Sequence, residues 1–194
     1  MRVHGILAAS ATAFLAVAAL PAMATEEVYV LDPVHSQPTF ETRHLGMSTQ
    51  WGRFHKLAGR ITLDRDARTG SVDITIEAAS IQTHDPRLDA IVKGERFFNV
   101  EKFPTITFKS SRVVFDGERI AGVDGELTML GATRPVNLTM VDLACGPQPF
   151  NRRPMCGGDA TATIRRSEWG MTANLPLSPA DAVKLAIPFE AYRE

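Results

Sequence analysis

"SVDITIEAASIQTHDPRLDAIVKGERFFNVEKFPTITF", residues 71–108, changes its hydrophobic period twice. Val72, Ile74 and Ile76 alternate with Ser71, Asp73, Thr75 and Glu77, the period of two that marks a strand with one wet face. Asp85 then offers a helix cap, Pro86 suits the first helical position and Gly94 suits the end. Between them Leu88, Ile91 and Val92 share one face at i, i+3 and i+4, so the spacing predicts a helix of about two turns. Phe97-Phe98 and Phe103-Pro104 follow, and Ile106 and Phe108 resume the alternation against Thr105, Thr107 and Lys109. Four of the ten phenylalanines fall in this stretch. They are either ordinary core or the lining of a place where an oily molecule sits.

Outward from here the alternation continues. Val136, Leu138 and Met140 alternate with Asn137 and Thr139, and Ala160, Ala162 and Ile164 with Thr161, Thr163 and Arg165. Val183, Leu185, Ile187 and Phe189 repeat it near the end of the chain. Turn signals stand between the runs, at Arg68–Gly70, Asp116-Gly117 and Gly131–Thr133. The fold class is therefore all-β and antiparallel, with hairpins in succession. Alternation alone is compatible with a closed barrel or a two-sheet sandwich. The inward faces are aliphatic and aromatic, so an eight-stranded barrel of this composition would enclose a dry lumen, filled by side chains or by one small ligand.

The first residues read as an export signal. Arg2 supplies a basic start, Ile6 to Leu20 is uncharged and apolar, and Ala22-Met23-Ala24 is a small-x-small cleavage site. The expected division is a signal peptide over residues 1–24, cut after Ala24, and one domain over 25–194 in the periplasm. The apolar run is shorter than the roughly 20 residues of a membrane-spanning helix. Removing it leaves 20 Lys+Arg against 22 Asp+Glu, a balance that argues against nucleic-acid binding. One segment departs from that balance. From Thr42 to Leu63 there is no acid, while Arg43, Arg53, Lys56 and Arg60 are basic. It reads as a solvated face, or as counter-charge for an anionic head group or membrane surface.

Cys145 and Cys156 are the only cysteines, and in an exported chain such a near pair is expected to form a disulfide. A zinc site lacks the neighbouring CxxC or His-x-His spacing. The four histidines beyond the leader, His35, His44, His55 and His84, form no metal-ligating pattern, and no GxSxG, HExxH, phosphate loop or GxGxxG occurs. No catalytic residues, metal or cofactor are expected.

Four blocks carry a resemblance: residues 31–64, beginning "LDPVHSQPTFETRHLGMSTQWGRF"; residues 81–111, containing "GERFFNVEKFPTITFKSS"; "GVDGELTMLGATRPVNLTM" at 122–140; and "IRRSEWGM" at 164–171. In that order they resemble the YceI-like family of exported lipocalin-like proteins. The resemblance implies an eight-stranded antiparallel lipocalin-like barrel with one short helix. It also implies a lumen that binds a long isoprenoid, such as a polyprenyl phosphate or a quinone, or another amphiphilic lipid. Phe40, His44, Leu45 and Gly46 match the family's first long strand and turn, Phe97, Phe98, Phe103 and Pro104 its aromatic block, and Trp169-Gly170 a common Phe-Gly. The helix departs from the family. Where many members carry Arg-Asp-x-His-Leu, this chain has Leu88-Asp89-Ala90-Ile91-Val92, which makes the helix a greasier lid.

The expected ligand-binding set is Phe40, His44, Leu45, Phe54, Leu88, Ile91, Val92, Phe97, Phe98 and Trp169, with Arg43, Arg53 and Lys56 as head-group partners. Phe103 and Phe108 are expected to be core. The expected function is a periplasmic carrier or store of an isoprenoid or similar lipid. The alternatives are an enzyme acting on a lipid held in the lumen, and an accessory protein docking on a membrane redox partner. Membrane or membrane-protein contact fits these readings, and the sequence leaves the oligomeric state open, a homodimer included.

Overall fold

The three ladder-forming runs of residues 27–82 are each interrupted once, and those interruptions shape the barrel. A computed structural model describes residues 26–194; the leader and its cut after Ala24 lie outside the described residues. The elements are β1 (Glu27–Leu31), β2 (Thr39–His44), β3 (Ser48–Phe54), β4 (Leu57–Asp64), β5 (Thr69–Glu77), β6 (Ile81–Gln82), α1 (Pro86–Lys93), β7 (Thr105–Asp116), β8 (Arg119–Met129), β9 (Ala132–Pro147), β10 (Pro154–Arg165) and β11 (Ala182–Arg193). β11 pairs with β10 along one edge. Its other edge is shared, with β2 beside Val183–Ala186 and β1 beside Ala191–Arg193. Between the two, the Ser36 hydroxyl donates to the Glu190 carbonyl and accepts from the Glu190 N–H, both at 3.0 Å. β1 and β2 are thus two halves of one bent strand, as are β3 with β4 and β5 with β6. Counted this way, eight antiparallel strands follow one another around the barrel in chain order and close on themselves.

The alternation decides what faces in. Ile74, Ile76, Ile106, Phe108, Val123, Val136 and Ile164 belong to the interior. Their neighbours meet outside as cross-strand ion pairs, Lys109 with Asp73 at 3.0 Å and Lys184 with Glu41 at 2.8 Å. Two strand glycines exist for close approach. A Cβ on Gly52 would stand 2.4 Å from the Phe40 ring, and one on Gly125 would stand 2.4 Å from the Phe108 ring. Each glycine lets a ring lie flat across its partner strand. At the β8–β9 turn, Leu130 and Gly131 both have positive φ, 53° and 76°, the combination a two-residue hairpin turn needs.

α1 has the predicted bounds. The Asp85 carboxylate accepts from the Arg87 N–H at 2.8 Å, and Pro86 occupies the first turn. Gly94 ends the helix with φ −69°, so its left-handed freedom is not used there. The elements sort into two ends. The helix end carries α1, the 94–104 loop, the 45–47 turn and the 170–181 loop. The disulfide end carries the β4–β5, β7–β8 and β9–β10 hairpins, with Cys145 bonded to Cys156 across facing strands. No helix among the described residues is long and apolar enough to cross a membrane.

Candidate functional site

The barrel encloses a cavity of about 1060 Å³ that runs from one end to the other. Its wall is made of the inward side chains of the ladder, among them Leu63, Val72, Ile106, Val123, Leu138 and Leu185. That volume lies at the upper limit of small-molecule pockets, roughly 300–1,000 Å³. At the helix end three rings from separate elements meet. Phe98 stands edge-on to Phe54 at 5.5 Å between centroids and at 88°, and Phe40 lies 6.1 Å from Phe54 and 6.3 Å from Phe98. Tilted and edge-on contacts are the favoured aromatic geometries. Phe97 and Phe98 reach the lumen because the chain folds tightly after α1. The Phe98 N–H donates to the Val92 carbonyl at 2.9 Å, and the Phe97 N–H to Gly94 at 3.0 Å.

Charged groups are confined to the two ends, and the Ser36 hydroxyl midway along the wall is spent on the Glu190 backbone. At the helix end the Arg96 guanidinium donates to Asn174 Oδ1 at 2.6 Å, a contact that joins the 94–104 loop to the 170–181 loop, and both residues line the cavity. Arg166 is buried there and donates to four carbonyls, those of Met171, Ala173, Pro179 and Ala180, at 2.6 to 3.0 Å. Burial pulls its pKa below the ordinary arginine value, against the opposing charge of Asp181. At the disulfide end Tyr29, Arg65 and Leu143 line both the main cavity and a smaller one of about 430 Å³. Tyr29 donates to Glu27 at 2.9 Å, Arg193 pairs with Glu27 at 2.7 Å, and Arg65 reaches Cys145 Sγ at 3.0 Å. Burial works against the Glu27 carboxylate, but the hydrogen bonds from Arg193 and Tyr29 and the charges of Arg193 and Arg65 outweigh it, and its pKa lies below the ordinary value.

The family model of the YceI-like domain matches residues 29–191. The chain belongs to the YceI-like family. A UPF0312 protein of Pectobacterium carotovorum is 31% identical over 97% of this chain and 97% of its own length. Among solved structures, BcnA of Burkholderia cenocepacia superposes with a TM-score of 0.68 at 23% identity, over 82% of this chain and 98% of its own. A polyisoprenoid binding domain from Saccharophagus degradans superposes at 0.60 with 15% identity, over 86% and 98%. These two share the fold.

On this YceI-like barrel the residues singled out from sequence separate into three groups. Phe40, His44, Phe54, Leu88, Ile91, Val92, Phe97 and Phe98 line the cavity. Leu45 and Trp169 do not. Leu45 sits at φ 53° in the exposed β2–β3 turn. Trp169 is 3% exposed, packed into the helix-end core, with its indole N–H donating to Leu127 at 3.0 Å. The basic trio also lies off the lumen. Arg43 closes its own turn on Gly46 and Met47, Arg53 holds Gln82 on the outer face, and Lys56 pairs with Glu77. The expectation for the other two phenylalanines also divides. Phe108 is buried but lines the cavity, whereas Phe103 is half-buried outside it, against Gly131. Reasoning from sequence missed Arg96, Asn174, Arg65 and Arg166. Arg96 and Asn174 are 78 residues apart, and no local pattern links them.

Proposed function

We propose that this protein binds a long-chain isoprenoid or similar amphiphilic lipid in its lumen and carries or stores it in the periplasm, without catalysis. The observation that carries the reading is the end-to-end, predominantly apolar cavity with charged groups only at its extremities. The family assignment supports it, as does the shared fold of a polyisoprenoid binding domain. The disulfide supports an oxidising compartment. A buried CH₂ contributes roughly 0.8 kcal/mol, so one isoprene unit contributes on the order of 4 kcal/mol before the cost of ordering the tail. The tail supplies affinity, and the polar ends supply orientation. Arg96 and Asn174, at the helix-end mouth, replace Arg43, Arg53 and Lys56 as the head-group partners.

Mass spectrometry of organic extracts from protein purified without detergent tests the reading. A stoichiometric prenyl lipid is the expected result. An empty protein that also fails to take up a polyprenyl phosphate or a quinone added in solution overturns it, and a chemically altered lipid released on incubation points to an enzyme instead.

A further inference from the structure

Water-exposed large apolar side chains are not spread evenly over this barrel. Of the eight exposed large apolar side chains among the described residues, Val34, Val141 and Phe150 lie elsewhere, whereas Leu45 (54% exposed), Met47 (82%), Trp51 (67%), Ile91 (55%) and Leu177 (75%) share the helix end. They project from separate segments that the backbone ties together. The Leu45 N–H donates to the Ser178 hydroxyl at 3.3 Å, and the Ala180 N–H to the Arg43 carbonyl at 2.9 Å. Arg96 joins the loop after α1 to Asn174. Leu45, Met47, Ile91 and Leu177 therefore surround one opening, which Ile91 lines and which Trp51, on β3 opposite Glu41, borders. Scattered single apolar residues on a surface need no explanation, but a set rimming the mouth of an apolar cavity does.

We infer that this collar docks the helix end on a phospholipid bilayer, with Trp51, Met47 and Leu177 entering the interfacial layer. The inference rests on the lipid-binding reading. The occupant that matches both rim and lumen is the phase a lumen-bound chain must enter or leave. A protein surface seated on the same rim would close the mouth. Indole rings favour the headgroup level of a membrane, and shallow insertion of a few apolar side chains with nearby basic groups is how peripheral proteins bind. The charges permit it. Arg43 reaches over the β2–β3 turn to Gly46 and Met47, and the end of α1 and the loops of this end carry Lys93 and Arg96 against Glu95 and Glu168. Of the acids of α1, Asp85 is paired with Arg87, and Asp89 keeps its charge while accepting from Thr83. The charges named at the rim balance, on a chain whose overall charge is negative, so this end does not repel anionic lipid and the apolar side chains carry the binding.

The test is flotation with protein-free vesicles of phosphatidylethanolamine and phosphatidylglycerol, read together with tryptophan emission. The protein has two tryptophans. Trp169 is buried and Trp51 exposed, so a blue shift on adding vesicles reports Trp51. Wild type should float with the vesicles and shift blue. Met47→Glu with Leu177→Glu should weaken partition by roughly tenfold or more, while melting temperature and lumen lipid, measured on the same samples, stay at wild-type values. Wild type that keeps its lumen lipid but neither floats nor shifts overturns the collar and leaves the lipid-binding reading standing. Vesicle binding by a protein whose lumen takes no lipid supports the collar and fails the other reading. Binding to native envelope membranes but not to vesicles of their extracted lipids assigns the rim to a membrane protein, and overturns the bilayer.

Discussion

The two ends of this barrel close the same cavity by different kinds of bond. At the disulfide end the strands run to their hairpins, Cys145 is joined to Cys156, and Glu27 is shared between Tyr29 and Arg193. Opening that end requires breaking a covalent link or ladder pairs. At the helix end β2, β3 and β6 stop short of a complete wall, and the gap is covered by α1 and two loops. None of the residues of α1 is buried. A two-turn helix does not hold itself, and this one hangs on the Asp85 cap, on Thr83 and Asp89, and on the Phe98 contacts. One end is fixed by topology and the other by a handful of side chains.

The largest effect expected separates the frame of the helix end from its cover. Trp169→Ala removes a buried indole with its hydrogen bond and should lower the unfolding free energy by roughly 3–5 kcal/mol, measured by urea denaturation. A loss below about 1 kcal/mol would mean that Trp169 belongs to the yielding cover. Replacing both cysteines by alanine should cost at most about 3 kcal/mol on the chain-entropy estimate for so short a loop. Lipid retention should not change. If the double variant releases lipid as readily as a lid variant, the contrast between the ends fails.

Ile91→Asp should leave stability within about 0.5 kcal/mol, the usual range for exposed positions. The helix face that sequence suggested was buried is instead half open: Leu88 and Val92 are half-buried and Ile91 is exposed over the mouth. Lumen lipid, assayed on the same folded sample, should fall. Full retention would remove Ile91 from the binding set. The smallest effect concerns pH. Hydrogen bonds from Thr83, by side chain and then backbone, hold the Asp89 pKa below 3.8, and those of Arg87 do the same for Asp85. Their support for α1 is complete above the ordinary carboxylate pKa and is lost as pH falls through the lower folded value. Hydrogen exchange should therefore show α1 amides losing protection on acidification below about pH 4. The Ala160 and Ala162 amides of β10, in the middle of the wall between backbone partners, should keep theirs.

How far the sequence could be read follows the same division. Period-two alternation identified β5, β7, β9, β10 and β11 with their inner faces, and turn signals the hairpins at Asp116-Gly117 and Gly131, because each of these is local. Asp85 and Pro86 placed α1 within its true bounds for the same reason. Closure into a barrel was legible only through the family resemblance, since β1 meets β11 across nearly the whole chain. The interruption at 32–38 was written in Asp32-Pro33 and Pro38 and went unread, whereas those at 55–56 and 78–80 were not legible. They answer to the geometry of bending a sheet, and residues such as His55-Lys56 carry no breaker signal. The cavity's apolar lining was within reach of pattern reasoning, hence Phe40, Phe54, Phe97 and Phe98. Its polar extremities were not, because Arg96 with Asn174 and Arg65 with Cys145 are long-range meetings. The acid-free run from Thr42 to Leu63 pointed to charge but not to its direction, and Arg53 and Lys56 turn outward.

The shared edge of β11 has a consequence for biogenesis. Each wall after the first pairs, as it is made, with one neighbour already present, but β11 must bridge β10 to both β1 and β2. Until residues 182–193 arrive, the nascent molecule is an open, curled sheet with two unpaired edges and its apolar interior facing water. Such edges template aggregation, and exposed apolar surface is what folding helpers recognise. A chain stopped at Asp181 would keep most of its hairpins and still have no inside.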